Sequence, residues 1–253
     1  MIRSALLVTV GVAITAFVSF WCVIFSFFAN AENNVHKVAR LWSRILLLIC
    51  GTKVEVIGMK NVLRVKPQVF MANHQSDFDI LILLAHVTCQ FRWLAKKELF
   101  TIPVFGQAMR SAGYIEIDRQ NHEKALLSLD QAALRIREGK SVMTFPEGTR
   151  SRDGEIKPFK QGTFYLAIQS GVPIVPISII GSGDIMPKRS LKVKPGKIKL
   201  VIDKPIDVKG YTLENRQELV DRVRQVIIKN YDAYRDAGTA SIKDVQPETE
   251  TAF

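Results

Sequence analysis

Residues 73 to 79 read Asn-His-Gln-Ser-Asp-Phe-Asp, an ionisable cluster set between the apolar runs Val69–Ala72 and Ile80–Leu84. A histidine and a nearby carboxylate can form a general-base pair: the acid holds one imidazole nitrogen and the other takes a proton from an alcohol. His74 and Asp79 are five residues apart, which on a continuous helix would separate them by about 140°. The pair therefore requires His74 to sit on a loop before a helix that starts near Ser76, a good N-cap, with Asp77 and Asp79 in its first turn. The same pattern also fits a plain helix start in which Asp79 serves only the cap and the dipole, with His74 structural. Ser76 as a nucleophile lacks the Gly-x-Ser-x-Gly turn that would expose it.

A second polar cluster, Phe145-Pro146-Glu147-Gly148-Thr149-Arg150-Ser151, follows the apolar run Val142-Met143-Thr144. Arg150 is a permanently charged planar fork suited to phosphate, and Gly148 and Thr149 add backbone and hydroxyl donors. A tight turn with a surface arginine has the same sequence. Glu147 is suited either to a substrate hydroxyl or to holding Arg150 in place. Arg119 and Lys96 are further phosphate candidates. The basic run Lys188, Arg189, Lys192, Lys194 and Lys197 suits lipid head groups, an acidic carrier protein or simple solvation.

Both clusters close short β-rich runs, which places them at strand ends. Strands are expected at Thr52–Ile57, Gln68–Ala72, Tyr114–Ile117, Ser141–Phe145, Ile174–Ile180 and Ile198–Ile202. Helices are expected at Glu123–Glu138, with Asn121 as N-cap and Gly139 as stop, at Phe159–Gln169 and at Leu213–Lys229. Their alternation predicts an α/β domain with a largely parallel sheet, in which polar clusters at carboxyl strand ends form the ligand site. That domain is expected over residues 51–235, and residues 236–253 read as a flexible acidic tail.

The 35 Lys and Arg against 24 Asp and Glu give a net charge of +11, which favours an anionic partner without choosing among lipid, phosphorylated substrate, acidic protein and nucleic acid. The three cysteines show neither disulfide nor zinc spacing. Residues 1–50 narrow the choice. Ala5 to Ala29 carries no charge, and its 25 residues would extend about 37 Å as a helix, enough to cross a hydrocarbon core of about 30 Å. A cleaved signal peptide ending at Ala29-Asn30-Ala31 is the rival reading, disfavoured by the length of the apolar run. Val35 to Cys50 then places apolar residues at helical spacing, with Lys37, Arg40 and Arg44 on another face, as in a basic amphipathic helix on an anionic membrane surface. An ordinary helix packed on the domain has the same pattern. Basic residues after the first helix predict that the domain faces the cytoplasm, and nothing beyond charge suggests nucleic acid.

Asn73-His74 through Asp79 resembles the H-x-x-x-x-D motif of the glycerolipid acyltransferases. Gly113-Tyr114-Ile115-Glu116-Ile117-Asp118-Arg119 resembles the second block of that family, Phe145 to Ser151 the third, and Gly171-Val172-Pro173-Ile174-Val175-Pro176-Ile177 the fourth. Lys96-Lys97-Glu98-Leu99 and Pro158-Phe159-Lys160-Gln161-Gly162 also look typical, and Tyr114 stands where a small or aliphatic residue is common. In its compact length and short anchor the chain is closest to the bacterial 1-acylglycerol-3-phosphate acyltransferases within the family. The resemblance implies a mixed sheet flanked by helices behind a two-helix membrane anchor, at the inner membrane. It implies acyl transfer from acyl-CoA or acyl-carrier protein to lysophosphatidate, with no acyl-enzyme, metal or cofactor. His74 would be the base, Asp79 its orienting partner, and Arg150 with its neighbours the phosphate site. Another lysolipid or glycerol 3-phosphate as acceptor, and a non-catalytic lipid-binding adaptor, are the alternatives.

Overall fold

The computed structural model describes residues 2–239. Two helices open it, α1 (Ile2–Phe25) and α2 (Ala31–Cys50). Asn30 turns the chain between them in the left-handed region at φ 58°, which asparagine tolerates better than most residues. Gly51, also left-handed, caps α2 by donating its N–H to the Leu47 and Leu48 carbonyls. The domain follows as β1 (Thr52–Ile57), β2 (Val69–Ala72), α3 (Phe78–His86), β3 (Phe91–Lys96), α4 (Lys97–Phe100), α5 (Phe105–Ser111), β4 (Ile115–Ile117), α6 (His122–Arg137), β5 (Ser141–Thr144), α7 (Gly162–Ser170), β6 (Ile174–Ile180), α8 (Ser182–Ile185), β7 (Gly196–Ile202) and α9 (Arg216–Thr239).

The seven strands form one mixed sheet in the order β1-β7-β6-β2-β5-β3-β4. Every pair is parallel except β6 with β7, so β1 and β7 run against the other five. Both faces of its centre are buried, which is why β2, β5 and β6 lack the regular polar alternation of a half-exposed strand. Val69, Met71 and Val142 enter a core roofed by α6, α7 and α9. Their neighbours Phe70, Ala72 and Met143 enter the opposite core, under α3 and the end of α2.

The structure departs from the expected elements in several places. Strand β3 has no counterpart among the expected strands, because Arg92 interrupts its apolar pattern and Lys96 closes it; the guanidinium is in fact buried at 1 % exposure. Helix α7 begins at Gly162 rather than Phe159, whose ring fills the core from a loop after Pro158. Helix α9 continues to Thr239, past the expected start of the acidic tail; residues 240–253 of that tail lie outside the described residues.

Helix α1 is long and apolar enough to cross a membrane, but it lies along α2 and α5 instead of standing clear of the domain. Ser4 Oγ exchanges hydrogen bonds with the backbone of Val193, and Trp42 of α2 donates to Thr15. The outward side of the pair is apolar, with Phe17, Phe20, Phe28, Leu41 and Leu48 exposed. Two of the three basic residues expected on the outer face of α2 are also engaged by the domain. Arg40 donates to the carbonyl of Thr88, in the loop just past α3, and Arg44 to that of Ala85 in the last turn of α3. At its other end α2 is pinned by charge. Arg92 donates to Asn33 Oδ1 at 2.7 Å and lies 3.7 Å from Glu32, which also pairs with Arg135 of α6 at 3.2 Å. His36, fully buried, meets the Tyr114 hydroxyl at 3.2 Å.

Candidate active site

Strand β2 ends at Ala72, and the next side chain fixes the direction of the chain beyond it. Asn73, fully buried, accepts from Ile179 N–H at 2.7 Å and donates to Ile179 C=O at 2.9 Å, so its amide continues the β2–β6 pairing for one more step. His74 then leaves the sheet on a loop before α3, as the pairing with Asp79 requires. Its Nδ1 lies 2.8 Å from Asp79 Oδ2. Because an ionised carboxylate only accepts, Nδ1 carries the hydrogen and Nε2 keeps its lone pair. The ring stacks on Phe145 at 3.9 Å and 8°, and Phe145 stacks in turn on Trp93 at 5.4 Å.

Asp79 does both jobs that its spacing allowed. Oδ2 also accepts from the N–H groups of Gln75 at 2.7 Å and Ser76 at 2.9 Å, while Oδ1 is buried without a hydrogen bond among the described residues. Ser76 Oγ receives Phe78 N–H at 3.2 Å and donates to the Met186 carbonyl at 2.7 Å. The helix proper starts at Phe78, so Asp77 sits just ahead of it and turns to Arg150.

The segment after β5 is a strap over this loop. Ser151 N–H donates to His74 C=O at 2.8 Å. Glu147 is buried, with Oε1 accepting His74 N–H at 2.7 Å and Oε2 accepting Lys157 N–H at 3.0 Å. Burial pushes its carboxyl up to about 7, although both N–H donors pull the other way. Here the sequence reading is corrected: Glu147 neither faces an acceptor phosphate nor holds Arg150. Its oxygens are spent on backbone donors because the loop and strap leave those amides no other buried acceptor, and Arg150 pairs with Asp77. Gly148 takes φ +71°, and a Cβ there would lie 2.8 Å from the Lys160 side chain, so only glycine lets that lysine lie across the turn.

A cavity of about 570 Å³ runs inward from His74. Lys96, Arg119, Gly148, Thr149, Arg150 and Lys160 surround its polar end. Arg119, exposed, donates to the Gly148 carbonyl. Lys96 is tied to Glu98 at 3.2 Å. The inner end is apolar and passes between α1, α2 and α5, with Val18, Val35, Ala108 and Ala112 on its walls and Tyr114 beside them. Seven of the eight expected residues are thus brought to one place, with Asp79 behind His74; Glu147 stands aside. Sequence reasoning missed Lys160 as a site residue, though it lies inside the quoted Pro158–Gly162 run, and missed Trp93 and Asn73 as supports. A lone tryptophan and asparagine carry no spacing signal.

The geometry defines a base and a set of cations at the mouth of an apolar cavity, on an α/β scaffold with a helical hairpin. The acyltransferase family profile matches residues 53–180. A chloroplastic 1-acyl-sn-glycerol-3-phosphate acyltransferase of Brassica napus is 37% identical over 173 residues, 68% of this chain and 50% of the relative. The 1-acyl-sn-glycerol-3-phosphate acyltransferase of Haemophilus influenzae is 36% identical over 189 residues, 74% of this chain and 77% of the relative. The crystal structure of the 1-acyl-sn-glycerophosphate (LPA) acyltransferase PlsC from Thermotoga maritima superposes with a TM-score of 0.80 at 27% identity, covering 96% of this chain and 97% of that one. The chain belongs to the acyltransferase family. It spans about half the length of the relatives it matches from Brassica napus, Chlamydomonas reinhardtii and Arabidopsis thaliana.

Proposed function

We propose that the protein transfers an acyl group from acyl-CoA or acyl-carrier protein to the sn-2 hydroxyl of 1-acyl-sn-glycerol 3-phosphate, giving phosphatidate. The observation that carries this reading is the placement of His74, whose Nε2 has no hydrogen-bond partner among the described residues, between the cations at the cavity mouth and the apolar interior. Lysophosphatidate has the same three parts in the same order: a phosphate, a free hydroxyl and a hydrocarbon chain. Arg150, assisted by Lys160, Arg119 and Lys96, binds the phosphate, and Thr149 and the Gly148 backbone lie beside them. The chain of the acceptor or of the donor enters between α1, α2 and α5.

In the reaction His74 Nε2 takes the hydroxyl proton as the oxygen attacks the thioester carbonyl. The C–O bond forms, the C–S bond breaks, and the departing thiolate receives the proton from the imidazolium. Asp79 fixes the tautomer beforehand and stabilises the imidazolium while it exists. Removing an alcohol proton beside an activated thioester lies within the reach of such a pair, so the proposal includes no metal and no bound cofactor. The apolar outer side of α1 and α2 favours a protein seated in one leaflet, and the reading places it at the inner membrane with the domain on the cytoplasmic side. The test is to supply purified full-length protein with labelled acyl-CoA or acyl-carrier protein and a panel of lysolipids and glycerol 3-phosphate. Phosphatidate from lysophosphatidate is the expected product; preference for another acceptor replaces the substrate, and no transfer to any acceptor favours a non-catalytic adaptor.

A further inference from the structure

A second cleft, of about 900 Å³, lies on the other side of the strap at 148–154 and has no part in the reaction as described. One wall is the edge of the sheet, where β1 and β7 pair Lys53 with Lys197 and Glu55 with Lys199. Cross-strand partners and residues two apart share a face, so three lysines project together. Arg152 from the strap and Lys188 complete a concave basic surface.

Charge here exceeds what the fold neutralises. Two lysines directly opposite each other destabilise a strand pair, and the side chains of Lys53, Lys197 and Arg152 make no ion pair or hydrogen bond among the described residues. Of the acids in the cleft, Asp153 is already engaged by Ser151 and by Glu155 N–H, leaving Glu55 and Asp184 against the surplus. Lys199 lies 4.9 Å from the Tyr234 ring, and Tyr231 closes the floor through its hydroxyl bond to Gln75. The cleft is also coupled to the first cavity. Lys188 Nζ donates to Thr149 Oγ1 at 3.2 Å and to the Arg150 carbonyl, supporting from behind the turn that carries Arg150.

A cleft this large, with cations spread along two sides, suits several phosphate groups on one ligand better than a single one. The reaction proposed above needs a thioester donor, and one donor class carries a 3′-phosphate and a diphosphate on an adenosine. We propose that this cleft holds the nucleotide end of a CoA thioester, while the flexible pantetheine arm crosses the strap toward His74. The assignment rests on the acyltransferase reading for its role and on the cleft for its chemistry.

The two are tested separately by titrating solubilised full-length protein with adenosine 3′,5′-bisphosphate, which has neither thioester nor acyl chain. Saturable binding is expected, unchanged in His74→Ala and weakened about tenfold or more in Lys53→Glu/Lys197→Glu, the scale of one lost charge-assisted phosphate contact. Both lysines are exposed, so the double variant should fold, and thermal melting checks this. In the same variant KM for acyl-CoA should rise by a similar factor, with KM for lysophosphatidate held. Nucleotide binding without acyl transfer to any acceptor would keep the cleft's ligand and remove the acyltransferase reading. No nucleotide binding, or an unaltered donor KM, overturns the proposal. It is equally overturned if the variant loses only its affinity for phosphatidylglycerol vesicles over phosphatidylcholine ones, which would make the cleft a head-group site, or only its use of acyl-carrier protein.

Discussion

Replacing Asp79 by asparagine separates the two roles its carboxylate plays. The amide can put its oxygen where Oδ2 now stands, keeping the N–H groups of Gln75 and Ser76 and His74 Nδ1 as donors at 2.7 to 2.9 Å. Its NH₂ then occupies the site of Oδ1, buried and without a partner. That costs about 1–3 kcal/mol as an unsatisfied buried donor, partly offset because the original oxygen was also unsatisfied, so the fold should survive. The charge is what disappears. An imidazolium and a carboxylate whose charge centres lie about 4 Å apart gain about 4 kcal/mol at an effective dielectric constant of about 20, and that gain exists only while His74 holds the proton. Turnover should therefore fall on the order of a thousandfold with a melting temperature within a few degrees of wild type. The assay is transfer of labelled acyl groups from CoA to lysophosphatidate in mixed micelles, run beside thermal denaturation followed by circular dichroism. A folded variant that retains a tenth or more of its turnover would reduce Asp79 to a helix cap; a variant that no longer melts cooperatively would make it chiefly structural.

His74→Ala should lower acyl transfer by about a hundred- to ten-thousandfold while melting and membrane association stay near normal, and near-normal turnover would end its assignment as base. Arg150→Ala should raise KM for lysophosphatidate by about ten- to a hundredfold, the range for a lost charge-assisted phosphate contact, and leave KM for the acyl donor little changed; an equal effect on both would make it structural. Glu147→Gln should alter stability in a pH-dependent way. With the folded pKa raised from 4.5 to about 7, the protonated carboxyl favours folding below pH 4.5, and this contribution is lost as pH rises to about 7, up to about 3 kcal/mol. The glutamine protein should lack that slope in denaturant titrations at successive pH values, and an identical slope would refute the buried-carboxyl account. Deleting residues 1–30 removes one wall of the acyl-sized cavity, so discrimination among acyl-CoA chain lengths should collapse even on water-soluble acceptors; unchanged selectivity would mean the chain lies elsewhere.

What was legible in the sequence followed from strong local patterns. The two polar clusters stood out because β2 and β5 are buried on both faces and end abruptly, and His74 could be placed ahead of a helix from the angle alone. Ile174–Ile180 emerged with the expected bounds because β-branched residues fill it. Tertiary pairing was not legible. A buried arginine looks like any other arginine, so Arg92 hid β3, and nothing in the amphipathic pattern of α2 tells that Arg40 and Arg44 reach the carbonyls of Thr88 and Ala85. Glu147 was misplaced for a related reason: its partners are backbone amides, and these carry no residue-type signature.

The pinning of α2 by Arg92 bears on how this protein can be rebuilt. A hairpin borrowed from another membrane protein, matched in length and hydrophobicity, would cover the guanidinium without supplying Asn33 or Glu32 to meet it. Stranding a buried charge in this way costs about 3–5 kcal/mol, a large share of the stability of an ordinary domain. A chimera joined at Gly51 should therefore express poorly unless Arg92 is exchanged for an apolar residue in the same step. The anchor and the domain behave as co-inherited parts, and swapping one calls for editing the other.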